Sequence, residues 1–317
     1  MRKGPKTIGI AGTGMMAAGL ITLTAGHGFP TLVLARSEAS EARCQAAVRS
    51  FFRQMVDHGV LSEPQADLCG TYISYTRDYA GMAAAETIFE CVTEKLDVKQ
   101  QVYRSVEESC PYVKAICSVS SSIVPDALAG AADIYRDRIL VTHPFNPPHL
   151  VPYFEVCAAG ATAPEVVSYV MELLKTLDRK PVLLKKATPG FIGNRLQFAL
   201  WRECLALVEE GICGPEDVDM ALAYSFAPRY TSIGIFQHFD NGGLELNAAA
   251  CRNIWPVLSD RTDIPDFMRQ LIDEAKTGAN SPSKQGFYDW SAVDMQAYSE
   301  KVSAPYWTFC RWEFPKE

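Results

Sequence analysis

The chain has 317 residues, and at roughly 150 residues per domain that length suits two domains, each able to bury a core. Apolar residues make up 48% and charged residues 21%, which excludes a disordered, collagen-like or coiled-coil chain. Thirty Lys and Arg against 37 Asp and Glu give a formal charge of -7, so no basic field attracts polyanions and nucleic acid is not an expected partner.

From the N-terminus, Arg2, Lys3 and Lys6 precede an apolar run from Ile8 to Leu23 that superficially resembles a signal peptide. Gly9, Gly12, Gly14 and Gly19 break it, and it leads into a second strand-like segment, so strand, turn and helix is the better reading. Strands are then expected at Thr7–Ala11, Thr31–Ala35, Tyr72–Tyr75, Thr87–Cys91, Ala115–Ser118 and Ile139–Thr142, with Glu41–His58 and Leu96–Ser109 the clearest helices between them. Tyr153–Cys157 and Pro181–Leu184 flank a further helix, Glu165–Leu177. After Lys186 the alternation stops, and helices are expected at Phe191–Glu210, Pro215–Ala223 and Phe267–Thr277. The expected architecture is therefore α/β: a Rossmann-like, doubly wound, mostly parallel sheet over residues 1–186, followed by an all-α domain over 187–317. No apolar stretch reaches the ~18 residues of a membrane span. Ten cysteines lie scattered without a CxxC pair, which leaves no zinc ribbon or redox motif and reads as reduced thiols in the cytoplasm, with no metal expected.

The segment GTGMMAAG, Gly12 to Gly19, follows a strand and opens a helix, the setting that a dinucleotide fingerprint requires. Gly12 permits the tight turn, Gly14 lets the backbone approach a pyrophosphate, Ala17 is small enough for close packing, and the helix start at Met15 and Met16 offers N–H donors. A glycine-rich turn without a ligand is the bland alternative. At the ribose end, where NAD binders commonly place a carboxylate, the second strand closes with Ala35, Arg36 and Ser37. A guanidinium and a hydroxyl suit a 2′-phosphate, so NADP is favoured, with NAD and a solvated Arg36 as the alternative.

By these segments, together with ECVTEKLDVK from Glu90, CSVSSSIV from Cys117, HPFNPPHLVPYFE from His143, TPGFIGNR from Thr188, and LVEEGI with PEDVD soon after, the chain resembles the 3-hydroxyacyl-CoA dehydrogenase superfamily. The resemblance runs from about Thr7 to about Phe239 and includes the L-gulonate 3-dehydrogenase/lambda-crystallin and L-carnitine dehydrogenase branches. It implies an N-terminal Rossmann-like domain, a helical domain that usually makes a homodimer, and hydride transfer between a secondary alcohol and a nicotinamide cofactor.

His143 stands out on its own, placed just after a strand at the end where α/β sheets hold ligands. Alcohol oxidation needs a base titrating near neutrality, and Glu155, twelve residues on, would fix the tautomer of such an imidazole. The two match the family's catalytic pair, against the alternative of a buried structural hydrogen bond. Ser121 and Asn194 match the serine and asparagine that hold the substrate oxygen in the family, although Ser120, Ser121 and Ser122 could instead cap the following helix, and Asn194 could cap its own. Asn146 matches the family's histidine loop, held by Pro144, Pro147 and Pro148; Glu94 and Lys99 match positions near the nicotinamide and ribose, or else form a solvated helix face. Val119 replaces the asparagine common in the acyl-CoA branch.

FAPRYTSIG, Phe226 to Gly234, looks like the gulonate and carnitine branches, and its Arg229 can grip a free carboxylate bidentately or else bridge to an acidic side chain. A small carboxylate-bearing 3-hydroxy acid or sugar acid is the expected substrate. The alternatives are a 3-hydroxyacyl-CoA dehydrogenase and a non-catalytic, crystallin-like dinucleotide-binding protein. Trp307, Phe309, Trp312 and Phe314 form an aromatic tail that could cover the cleft, meet a dimer partner or simply finish the core.

Overall fold

A computed structural model describes residues 6–310 and Trp312; Phe314 of the aromatic tail lies outside the described residues. In chain order the sheet-forming region runs β1 Ile8–Ala11, α1 Met15–Gly26, β2 Thr31–Leu34, α2 Glu38–Asp57, α3 Glu63–Thr71, β3 Ile73–Thr76, β4 Thr87–Glu90, α4 Leu96–Ser109, β5 Ala115–Ser118, α5 Pro125–Gly130, β6 Ile139–Pro144, β7 Tyr153–Ala158, α6 Pro164–Thr176 and β8 Lys180–Leu183. The helices α7 Gly193–Glu209, α8 Pro215–Tyr224, α9 Ile235–Asn241, α10 Leu244–Ile254, α11 Asp266–Asp273 and α12 Met295–Trp307 follow.

All eight strands join one sheet in the order β3-β2-β1-β4-β5-β6-β7-β8. Every neighbouring pair is parallel except β6–β7, so the fold is the expected Rossmann-like, mostly parallel sheet followed by helices. The order reverses between β1 and β4, and a doubly wound sheet binds its ligand in the crevice outside that reversal. Strands β1, β4, β5 and β6 are buried along their whole length, as continuous apolar runs covered by helices on both faces must be. Ile8, Ile10, Leu20, Phe89 and Val170 belong to one core layer, while Ala11, Ile88, Val102, Ile116 and Leu128 belong to the other. Pro181, which lacks a ladder donor, is tolerated because β8 is an edge strand.

The chain divides into two compact units, one ending at Ile192 and taken up again from Ser299, the other spanning Gly193–Tyr298. The described part of the tail therefore belongs to the first unit. Trp307 stacks on His58 with ring centroids 3.9 Å apart, and Trp312 lies against His27 and Gly26. A Cβ at Gly26 would run into the Trp312 ring, so the last residue of α1 is bare backbone under an indole. Of the roles open to this tail, Trp307 and Trp312 take the plainest and complete a core.

Three local differences from the expected elements have clear causes. Helix α2 begins at Glu38 because Ser37 and Ser40 form a reciprocal capping box, and α3 arises from another, in which Ser62 pairs with Gln65 and Pro64 sits in the first turn. Helix α7 starts only at Gly193, since Gly190 and Phe191 both have positive φ, 75° and 48°, a conformation that no helix continues.

Replacing Trp312 by Ala should remove a buried indole and leave a cavity over α1. We expect a loss of about 3 kcal/mol in urea unfolding. An unchanged midpoint would mean that the tail does not belong to this core.

Candidate active site

The turn between β1 and α1 carries the dinucleotide motif. Gly12 has φ 133° and sits where a Cβ would lie 2.7 Å from the Cys91 carbonyl oxygen, so any side chain there would be doubly disfavoured. Gly14, the N-cap of α1, is different: an added Cβ would meet no protein atom within 4 Å. Its glycine answers no internal packing need and leaves room for a ligand to reach the backbone. The first turn of α1, with exposed Met15 and half-buried Met16, holds no acidic residue, so its positive end is uncompensated by this chain. These residues fit a dinucleotide pyrophosphate.

At the end of β2, Ala35 is buried while Arg36 and Ser37 are exposed. Ser37 accepts the Ser40 N–H at 3.2 Å, which leaves its own hydroxyl proton to donate elsewhere.

His143 lies within β6, one residue further into the strand than the sequence predicts, because the ladder with β7 extends to Pro144. The antiparallel register sets it directly opposite Glu155, and its Nδ1 donates to Glu155 Oε2 at 2.8 Å. Glu155 is fully buried and His143 is 7% exposed. Glu155 Oε1 also accepts the Tyr153 hydroxyl at 3.2 Å and the Ile192 backbone N–H at 2.8 Å. With Nδ1 committed as donor, Nε2 is the nitrogen able to accept a proton. Phe145 and Phe191 flank the ring at 5.4 and 5.5 Å. Asn146 is exposed in the loop that follows, where its peptide to Pro147 is cis.

Beyond β5 the serine run does not cap a helix. Glu94 gathers it instead: Oε1 accepts the Ser120 hydroxyl, the Ser121 N–H at 3.0 Å, and the Ser122 N–H and hydroxyl at 3.1 and 3.0 Å. Burial opposes ionisation of Glu94, but the Ser120 hydrogen bond, the Lys99 charge and the Ser122 N–H outweigh it and hold the carboxyl at about 2. Lys99, expected at the cofactor, is fully buried on α4 and bridges Glu90 at 2.8 Å and Glu94 at 3.2 Å. It bears on the site through Glu94 rather than by direct contact. Glu90, at the end of β4, also accepts from Tyr103, Ser118 and the Val92 N–H.

Asn194 is the second residue of α7, and Arg229 lies on a short 3₁₀ turn at Ala227–Thr231, both in the helical unit. Among the described residues Arg229 has no carboxylate partner; its guanidinium reaches His238 Nε2 at 3.1 Å. Sequence reasoning missed Glu90, Tyr153, Phe191 and Arg179. Arg179 is 2% exposed and donates to the carbonyls of Pro148, His149, Val151 and Leu177, bracing the histidine loop from beneath. Glu90, Tyr153 and Phe191 lie in the segments ECVTEKLDVK, HPFNPPHLVPYFE and TPGFIGNR, which did not single them out, and no motif included Arg179.

A glycine-rich turn before α1, a carboxylate-braced histidine and a fixed serine loop on the carboxyl edge of one sheet fit the class of nicotinamide-dependent dehydrogenases. The chain belongs to the 3-hydroxyacyl-CoA dehydrogenase family: the profile of that family's NAD binding domain matches residues 7–187 and that of its C-terminal domain residues 190–290. It is 31% identical over 234 residues to L-carnitine dehydrogenase of Mesorhizobium japonicum, covering 71% of this chain but only 62% of that relative's length. It is 29% identical over 277 residues to 5-formyl-3-hydroxy-2-methylpyridine 4-carboxylate 5-dehydrogenase of the same organism, covering 87% and 88%. A crystal structure of an enzyme of that second name, described as an NAD+-dependent dismutase, superposes with a TM-score of 0.86 at 26% identity over 97% of this chain and 98% of that one.

Glu94 has a folded-state value below its ordinary 4.5, so its stabilising contribution is present above that ordinary value and fades as pH falls towards about 2. The Glu94→Gln variant should accordingly lose some of the fall in stability that the wild type shows between pH 5 and pH 2. Denaturant midpoints across that range measure it, and parallel curves would refute the role given to Glu94.

Proposed function

We propose that the protein interconverts the secondary hydroxyl and carbonyl of a small, carboxylate-bearing 3-hydroxy acid or sugar acid, using NADP in preference to NAD. The observation that carries the reading is the 2.8 Å bond from His143 Nδ1 to buried Glu155 at the carboxyl edge of the sheet. In the oxidative direction Nε2 of His143 takes the hydroxyl proton, and Glu155 stabilises the imidazolium that results. The bound nicotinamide cofactor supplies the hydride acceptor. Ser121, held by Glu94 through its backbone, and Asn194 donate to the substrate oxygen, on which negative charge develops. Tyr153 and the Ile192 N–H occupy the other carboxylate oxygen and keep Glu155 from turning away.

Arg229, which has no carboxylate partner among the described residues, takes the substrate's. A relative named for a pyridine 4-carboxylate supports a free acid, while one named 3-hydroxyadipyl-CoA dehydrogenase, from Escherichia coli and 28% identical over 306 residues, keeps a thioester as the second reading. The preference for NADP rests on Ala35, Arg36 and Ser37, where no carboxylate stands to repel a 2′-phosphate. Met15, Met16, Glu94 and Asn146 complete the cofactor's surroundings in this reading. Ten cysteines without a disulfide suit the cytoplasm.

The helical unit supports a homodimer. Phe236 is 89% exposed, Tyr224 86% and Trp255 69%, far more apolar surface than a lone unit of this size keeps in water. Light scattering should return twice 34.9 kDa, and a monomer would exclude the dimer.

Absorbance at 340 nm with free 3-hydroxy acids beside acetoacetyl-CoA tests the substrate. Arg229→Ala should raise KM for the acid at least ~10-fold, whereas strong thioester turnover indifferent to Arg229→Ala would establish the second reading. His143→Ala should lower kcat at least ~100-fold with cofactor affinity nearly unchanged, and retention of turnover would remove the histidine from the mechanism.

A further inference from the structure

Strands β2 and β3 run parallel, with Leu34 opposite Thr76, and the pairing continues past their ends through the Ala35 N–H on the Thr76 carbonyl at 3.0 Å. The chain therefore leaves the sheet twice at the same level, once through Ala35, Arg36 and Ser37 and once through Arg77. Arg77 Nη1 stands 3.5 Å from the carbonyl oxygen of Ala35, the residue at the ribose-recognition position. The same nitrogen is paired with Glu41, from the start of α2. The Arg77 side chain is 42% exposed and that of Glu41 23%. An ion pair so open to water contributes only about 0–1 kcal/mol to stability, which is a thin reason for an arginine at this place.

We propose that Arg77 is the second arm of a clamp for the adenosine 2′-phosphate of NADP, and that Glu41 is the counter-ion which that phosphate displaces. The proposal rests on the NADP reading given above and adds to it a residue on a different strand. A dianionic phosphate offers a guanidinium more charge and more acceptor oxygens than one carboxylate does, so the exchange favours the bound state. Arg36 approaches from the β2 side, Arg77 from the β3 side, and the Ser37 hydroxyl donates between them at the start of α2. Glu41 tempers the clamp by holding Arg77 whenever no phosphate is bound. The strength of selection is thus set by the balance of Arg77 against Glu41, while the nicotinamide end is untouched.

The test uses the full-length protein and needs no substrate. NADPH and NADH are titrated by fluorescence, with 2′,5′-ADP and 5′-AMP titrated by calorimetry to isolate the adenosine end. Arg77→Ala should weaken NADPH and 2′,5′-ADP at least ~10-fold, the loss of one charge-assisted contact, and leave NADH and AMP within about twofold. Arg77→Lys should recover some of the loss, because it keeps the charge but not the fork. Glu41→Gln should tighten NADPH about 3-fold or more in the wild-type background and have no effect in the Arg77→Ala background, since the two act on one another. A wild type that prefers NADPH, with a preference unmoved by Arg77→Ala, overturns this inference alone. A wild type that prefers NADH overturns the NADP reading beneath it and this clamp together.

Discussion

The antiparallel pairing of β6 with β7 is the constraint from which the rest of the site follows. In a wholly parallel sheet the neighbour of His143 would arrive by a long crossover; here the chain turns back within nine residues and sets Glu155 directly across the ladder. Two buried side chains 2.8 Å apart are then positioned by backbone hydrogen bonds rather than by side-chain preference. A carboxylate buried at that depth needs both oxygens answered, and His143, Tyr153 and the Ile192 N–H do so.

A second buried charge cluster has a similar role on the neighbouring strands. Lys99, at zero exposure, is paired with both Glu90 and Glu94, and Glu94 in turn has four donors of the serine loop to hold. Strand β4, helix α4 and the loop after β5 are therefore tied together by this polar cluster as well as by the apolar contacts of Ile88, Val102 and Val106. Removing one partner would leave the others buried and uncompensated, which is costly in a way that removing an exposed pair is not.

The alternation of strand and helix was legible because buried parallel strands must be continuous apolar runs, and Ile8–Ala11, Thr87–Glu90 and Ala115–Ser118 are such runs. His143 and Glu155 were legible as a pair from their chemistry and from the successive strand-like runs that carry them, but not as direct opposites in an antiparallel ladder. Lys99 looked like any charged residue on an amphipathic helix, because its partners stand five and nine residues back, outside the helical repeat. Arg77 belongs to no motif; only the lateral pairing of β3 with β2 brings it to Ala35. In the helical unit, α9 and α10 carry apolar residues that face solvent, so no single stripe announced them.

The return of the chain after Tyr298 makes the helical unit an insertion within the first. During synthesis the sheet can pair and the cradle can form, yet α1 and α2 keep an uncovered seam until Trp307, Cys310 and Trp312 emerge, more than a hundred residues later. The two ends of one nucleotide-binding layer are thus joined last, a closure of very high sequence separation and correspondingly slow search. A ribosome stalled or a message truncated before those aromatics would release a chain whose sheet is complete but whose outer seam is sticky.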